Sequence, residues 1–362
     1  FKDKSFDRIL SSKKLKNVDV ELLPEGRYNN AINVALKNFL KEVKKSILLG
    51  EDIEDSNEFN PGTYGGAFKV TKELSILYPS RVINTPISEA SIIGISSGYC
   101  LAGGNAIVEI MFGDFMTLIF DQVYQHLSKF ELMYNSKVAC PLIIRTPMGG
   151  KRGYGPTHSQ SLEKHFIGIP NLGIVALNHR ISPDYIIKAI NFLNTTPFII
   201  IENKILYTLN CNEPKIPNHN YIFTENLFPV LSIKPIGEKP LITVICYGET
   251  LNVLEKAYFD LILEEEIFLD IVCPSLISPV DYNEISNSVK KTNNLLIIEE
   301  GSSIASWGSE VIAKLSEDGI NINNLSRISN NTLIPSSFKA EIKNLPNINQ
   351  IKKMILKLIN YD

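Results

Sequence analysis

Short apolar runs that stop abruptly and alternate with helix-like stretches constrain this chain more than any other feature of it. Val82-Ile83 and the segments 106–109, 142–145, 174–176 and 198–202 are such runs, and stretches near 89–102, 115–134 and 182–194 separate them. Buried strands joined by helical crossovers produce this pattern, so it implies a parallel sheet covered on both faces. Ahead of it, residues 28–45 carry Ile32, Ala35, Leu36, Phe39, Leu40 and Val43 on a 3.6-residue stripe, which predicts a helix with one buried face. Ile47-Leu48-Leu49 then predicts a short strand.

At 362 residues the chain exceeds one ordinary core. The alternation fails between Tyr207 and Pro240, where Pro214, Pro217, Pro229, Pro235 and Pro240 interrupt regular structure. The reading is therefore an amino-terminal arm at 1–27, a first α/β domain at 28–207, a linker at 208–239 and a smaller α/β domain at 240–362. The second domain is expected to have strands at 241–247, 267–272 and 295–299 and helices at 250–266, 307–316 and 347–360. The Asn-rich stretch 321–331 reads as a loop around a short strand.

A net charge of −3 argues against a general nucleic-acid surface, and Lys13-Lys14 with Lys16 nearby reads as a solvated, disordered arm. Cys100, Cys140, Cys211, Cys246 and Cys273 stand far apart with no Cys-x-x-Cys pair. That favours reduced cysteines in a cytoplasmic protein over a disulfide framework or a zinc site. No apolar run approaches the roughly 20 residues that span a bilayer, so no membrane segment is expected. The chain opens at Phe1 rather than Met, with no signal or transit pattern, which fits a truncated chain or the downstream half of a longer polypeptide.

Ligands of a parallel sheet bind beyond the carboxyl ends of its strands. Glu89 stands at such a position, following Val82-Ile83 through Thr85-Pro86 into the first turn of a helix, although a first-turn acid is also what the helix dipole favours in any protein. Gly94, Gly98, Gly103 and Gly104 along that helix suit either packing within the chain or a subunit interface. His158 lies in a loop with Gly153, Gly155 and Pro156, where Thr157, Ser159 and Gln160 are placed to orient it. His126, His165, His179 and His219 show no metal-ligand spacing and read as structural.

These signals fall into a familiar order. Gly50-Glu51-Asp52, Gly65-Gly66-Ala67-Phe68-Lys69-Val70-Thr71, Thr85-Pro86-Ile87-Ser88-Glu89, Glu109-Ile110-Met111-Phe112-Gly113-Asp114-Phe115, Asp121-Gln122, Arg145-Thr146-Pro147, Gly153 through Gln160 and Glu202-Asn203-Lys204-Ile205-Leu206-Tyr207 succeed one another at regular intervals. Their order and spacing resemble the beta subunit of thiamine-diphosphate-dependent 2-oxo acid dehydrogenases, of the pyruvate, branched-chain and acetoin type. The resemblance implies a transketolase-like pyrimidine-binding domain, a parallel sheet flanked by helices, followed by a transketolase carboxyl-terminal domain.

By the same matching, Glu89 binds N1′ of the cofactor aminopyrimidine, Phe115 stacks on the ring, Met111 packs near it and Ile87 lines the pocket. A carboxyl group at N1′ favours the imino tautomer, whose nitrogen can take the proton from thiazolium C2. The family's next step is acyl transfer to a lipoyl acyltransferase, and the resemblance gives His158 the role of proton donor to it. No Gly-Asp-Gly occurs in the chain, so the diphosphate and its Mg²⁺ are expected on an alpha-type partner chain or a fused upstream segment, in an α₂β₂ or equivalent assembly.

The carboxyl-terminal match is looser. Ser302, Ser303, Ile304, Ala305, Ser306 and Trp307 follow Glu299-Glu300-Gly301, and Ser336-Ser337-Phe338 follows Leu333-Ile334-Pro335, where family members usually differ. The loop 191–197 lacks the acidic residue expected at a monovalent cation site, and no metal ligand is assigned in this chain. The resemblance thus implies an oxidoreductase of the class EC 1.2.4, acting on a 2-oxo acid. A thiamine carboligase with a non-lipoyl acceptor and a non-catalytic assembly subunit are the competing readings.

Overall fold

In a computed structural model, which describes residues 4–55 and 64–359, the alternation becomes two sheets. The first is built from β1 (Ser46–Gly50), β2 (Val82–Asn84), β3 (Asn105–Glu109), β4 (Leu142–Met148), β5 (Gly173–Ala176) and β6 (Phe198–Asn203). These run parallel in the order β5-β6-β4-β3-β1-β2.

Alternate residues along each strand point to opposite faces, and here both faces are apolar. Leu49, Ala106, Val108, Leu142, Ile144 and Ile199 join Ile92 and Ile93 of helix Glu89–Leu101 in one buried cluster. Leu48, Ile107, Ile143, Phe198 and Ile200 join the other, with helices Tyr28–Glu42 and Pro183–Leu193. The first-domain fold is therefore the covered parallel sheet that the apolar runs imply.

The second sheet contains β7 (His219–Phe223), β8 (Val230–Pro235), β9 (Ile242–Cys246), β10 (Leu269–Pro274), β12 (Asn294–Ile298) and β13 (Asn324–Ile328). Its order is β13-β12-β9-β10-β8-β7, with β7 and β8 antiparallel to their neighbours. Strand β11 (Leu276–Ser278) leaves this domain and pairs antiparallel with β5, so the second domain contributes a strand to the first sheet.

Two expectations change. Residues 208–239 do not form an irregular linker throughout, because β7 and β8 lie within them; Pro214, Pro217, Pro229 and Pro240 fall outside those strands and Pro235 closes one. The single helix expected at 115–134 is three short pieces, a tight turn at Gly113–Ile119, a wide turn at Gln122–Leu127 and a last turn at Phe130–Met133. Met116, Ile119, Val123 and Leu127 still form one buried stripe, which is what the sequence periodicity detects.

The arm is also more ordered than expected. Its helix Ser5–Ser11 buries Ile9, Arg8 pairs with Glu131 at 3.0 Å, and Lys13 bridges to Asn226. Gly94 and Gly98 lie on an exposed face where an added Cβ would meet nothing nearer than 3.8 Å, whereas one at Gly104 would strike the Tyr99 ring. The helix glycines thus divide between an open face and intrachain packing. All five cysteines are free and buried, and no helix among the described residues is long and apolar enough to cross a membrane.

The domains share a core. Tyr247 and the buried Trp307 meet edge to face at 5.1 Å, and the Tyr247 hydroxyl donates to Glu163 of the first domain. Burial pushes the Glu163 carboxyl up to about 7, a shift that Glu299 and Glu300 reinforce and the Tyr247 bond opposes. A carboxyl raised in the fold stabilises it fully below the ordinary carboxylate range and stops doing so as pH rises through about 7. Raising the pH from 5 to 8 should then cost roughly 2 to 3 kcal/mol through this group. Denaturant unfolding of Glu163→Gln at the two pH values should show that much less pH dependence than the native chain.

Candidate active site

The expected site residues Ile87, Glu89, Met111, Phe115 and His158 all follow the carboxyl ends of the first sheet's strands, together with Glu51, Phe112 and Lys204. Glu51 follows β1, Ile87 and Glu89 follow β2, Met111, Phe112 and Phe115 follow β3, the His158 loop follows β4, and Lys204 follows β6. Parallel pairing puts these exits along one edge.

Arg145 secures that edge. It is the register partner of Glu109 across β3 and β4, and it ion-pairs with that carboxylate while clasping Glu202 of β6 through Nε at 2.9 Å and Nη2 at 2.5 Å. Tyr207 donates to Glu202 at 2.7 Å. Arg145, Glu109 and Glu202 are all buried, a placement that is tolerable only because the charges are paired.

Glu89 begins its helix, as expected. Ser88 occupies the cap position, where its carbonyl accepts from Ile92 N–H at 3.0 Å, but its hydroxyl donates to Ser91 Oγ at 2.8 Å and caps no helix N–H. The Glu89 carboxylate is half-buried and has no hydrogen-bond or ion-pair partner among the described residues. Its neighbour Glu51 carries a raised pKa through burial, with Asp52 and Glu89 adding repulsion, so two carboxylates share this end of β1 and β2. Ile87 is 76 % exposed, a large apolar side chain presented to solvent at the site.

Phe115 and His158 come together. Their rings meet edge to face at 5.3 Å, and Phe112 contacts both, at 5.6 Å from Phe115 and 4.9 Å from His158. The tight turn that carries Phe115 packs against helix Glu89–Leu101, which places this aromatic group beside the Glu89 helix. Met111 is half-buried on the segment between β3 and that turn, and among the described residues no hydrogen bond or ion pair joins Glu89 to Phe115 or His158.

The residues flanking His158 divide their work. Thr157 Oγ1 lies 2.9 Å from His158 Nδ1, while Gln160 turns away and donates to Asp114 Oδ1 at 2.8 Å. Ser159 is buried with its hydroxyl unpartnered. The base of the loop is held by the second domain: Gly150 N–H donates to Glu300 Oε1 at 2.6 Å, and a Cβ on Gly150 would stand 2.4 Å from Leu345 and 2.7 Å from Glu341 Oε1. A side chain at this position would have to displace the ends of both.

Sequence reading gave no role to Phe112, Asp114, Lys204, Glu300 or Glu341. The available signal was a lysine and two acids directly after apolar strands, but their meeting depends on long-range packing. His179 pairs with Glu255 at 2.5 Å and His219 with Tyr258 at 2.7 Å. Among the described residues no group of three or more His, Cys, Asp or Glu side chains could hold a metal ion.

Residues 26–210 match the family described as transketolase, pyrimidine binding domain, and residues 233–348 match transketolase, C-terminal domain. This chain belongs to the transketolase-like beta subunits. The beta subunit of the pyruvate dehydrogenase E1 component from Porphyra purpurea is 32% identical over 281 residues, covering 76% of this chain and 80% of that one. The beta subunit of acetoin:2,6-dichlorophenolindophenol oxidoreductase from Bacillus subtilis is 28% identical, over 91% of this chain and 96% of that one. A solved structure titled split gene transketolase, inactive beta4 tetramer, shares the fold with a TM-score of 0.67 at 18% identity, covering 92% of this chain and 99% of that chain.

The beta-subunit fold here depends on its central arginine. Arg145→Met should destabilise the chain by about 3 to 5 kcal/mol, because it leaves Glu109 and Glu202 buried without their cation. Unfolding followed by the fluorescence of Trp307, the single tryptophan, measures the loss.

Proposed function

We propose that this chain supplies the pyrimidine side of a thiamine diphosphate site in a 2-oxo acid dehydrogenase, which oxidatively decarboxylates a 2-oxo acid of pyruvate or branched-chain type. An alpha-type partner chain or segment supplies the diphosphate and Mg²⁺ side, in a cytoplasmic α₂β₂ or equivalent assembly, and a lipoyl acyltransferase receives the acyl unit. The observation that carries this reading is the Glu89 carboxylate at a helix start, unpartnered among the described residues and on the same sheet edge as the Phe115–His158 pair.

The residues fit the cofactor. Glu89 has free lone pairs to hold a proton against a ring nitrogen, Phe115 and Met111 offer an aromatic and apolar wall, and the exposed Ile87 adds surface for a bound group to cover. Thiamine diphosphate, when bound, supplies the electron sink that lets carbon dioxide leave a 2-oxo acid. Glu89 keeps or returns a proton at the pyrimidine N1′ position, which is general acid–base work. His158 is half-exposed and oriented by Thr157, so it can deliver a proton to the lipoyl disulfide as it opens. The open glycine face of helix Glu89–Leu101 offers a close-approach surface for a subunit.

Reconstitution with an alpha-type partner, thiamine diphosphate and Mg²⁺ tests both roles. Glu89→Gln should lower 2-oxo acid oxidation by about 10² or more with assembly intact on size-exclusion chromatography. His158→Gln should lower lipoyl transfer by about 10² more than it lowers oxidation coupled to an artificial dye. Full activity in the Glu89→Gln complex would leave a non-catalytic assembly subunit as the better account, and dye-coupled turnover without any lipoyl transfer in the native complex would favour another acceptor.

A further inference from the structure

His158 stands on a loop that has little structure of its own. From Gly149 to Gly155 the backbone takes positive φ at Gly149, Lys151, Gly153 and Gly155, with no strand or helix ladder to hold it. His158 N–H reaches Gly155 O at 3.3 Å, a bond within the loop, and the Thr157 that contacts its ring is itself exposed. Glu300 and Glu249 hold the start of the loop at Gly150 and Lys151, and the short bond from outside to His158 itself is made by Lys204, whose Nζ donates to the His158 carbonyl oxygen at 2.6 Å.

Lys204 is 0 % exposed and lies two residues past Glu202, so this bond ties the loop to the clamped end of β6. Its ammonium also sits 5.3 Å from the centre of the Phe112 ring, the same ring that packs against the His158 imidazole. Burying an ammonium is costly, and burial lowers this one to about 8 against the pull of Asp114, Glu300 and Glu341, with Arg152 adding to the lowering. Among the described residues its one hydrogen-bond acceptor is that main-chain carbonyl. A side chain needed only to fill space would serve better without the charge.

We propose that Lys204 is the positioning residue for His158: its bond to the His158 carbonyl fixes where the imidazole stands against Phe112 and Phe115. The proposal rests on the reading of His158 as proton donor in acyl transfer. Lys204 touches neither substrate nor cofactor in this role; it acts through the loop.

Lys204→Met and Lys204→Arg in the full chain test this, with His158→Gln alongside. Amide hydrogen exchange across 149–162 should be about tenfold faster in Lys204→Met and close to native in Lys204→Arg, while helix Tyr28–Glu42 is unchanged. In the reconstituted complex Lys204→Met should lower lipoyl transfer about tenfold more than dye-coupled oxidation, and the arginine variant should recover most of that loss. Native exchange across 149–162 in Lys204→Met, or an equal fall in both reactions, overturns the proposal. Undiminished lipoyl transfer in His158→Gln overturns the reading of His158 instead, and leaves loop exchange to decide whether Lys204 holds the loop. Should Lys204→Met not fold, pH separates the cases: between pH 7 and 9.5 the native lysine loses its charge, with a pKa of about 8, and an arginine does not. Exchange corrected for intrinsic rate should then rise in the native chain and stay flat in Lys204→Arg, and identical curves refute the proposal.

Discussion

The pairing of one buried guanidinium with two carboxylates on neighbouring strands is the constraint on which the rest of this structure depends. Arg145 joins Glu109 of β3 and Glu202 of β6 at the points where those strands end. Three of the segments that form the site begin within a few residues: Met111 to Phe115 beyond Glu109, the His158 loop beyond Met148, and Lys204 beyond Glu202. A buried ion pair is weak evidence of net stability, since apolar residues of similar volume often do as well. Its value here is geometric, because a planar fork with two fixed acceptors sets the relative height of three strand ends in a way that apolar packing does not.

The second domain works on the same edge from the other side. Glu300 accepts from the Gly150 amide, Glu341 and Leu345 crowd Gly150, and Phe338 crowds Gly153, where an added Cβ would stand 3.1 Å from the Phe338 Cβ. With β11 paired to β5 and the Tyr247–Trp307 contact inside a shared core, the domains are joined by backbone, apolar and polar contacts together. The carboxyl-terminal domain is therefore part of what shapes the His158 loop. Its departures from the usual family sequence, at 302–307 and 336–338, fall next to that contact.

How much of this was legible in the sequence depends on the distance over which each feature is decided. The covered parallel sheet was legible because each strand announces itself in a short run of two to four consecutive apolar residues, and both clusters confirm that alternate positions are buried. Strands β7 and β8 were not, because four prolines interrupt 208–239 and a fifth follows at 240, and their harmless placement outside or at the end of a strand appears only once the pairing with β10 is known. The readings of Glu89 and His158 rest on strand-end position, loop chemistry and resemblance. Lys204 and Glu341 were missed because they lie 46 and 183 positions from His158, a separation bridged only by the fold (204 − 158 and 341 − 158).

The charges at this edge fall into two kinds, and the difference bears on how the site is built. Glu109 and Glu202 are buried, bound to a cation and unable to leave it without leaving that cation exposed to an apolar surround. Glu89 is half-buried, placed by a helix start, and unengaged among the described residues, while its near neighbour Glu51 is pushed toward the neutral form by burial and by repulsion from Asp52 and Glu89. A carboxylate that held the fold together could not also exchange a proton with a ligand, since protonation would release its partner. The structural work falls to the interior pair, and Glu89 takes no part in it among the described residues. The same division recurs around His158, whose backbone is held by Lys204 while its imidazole remains partly open to solvent.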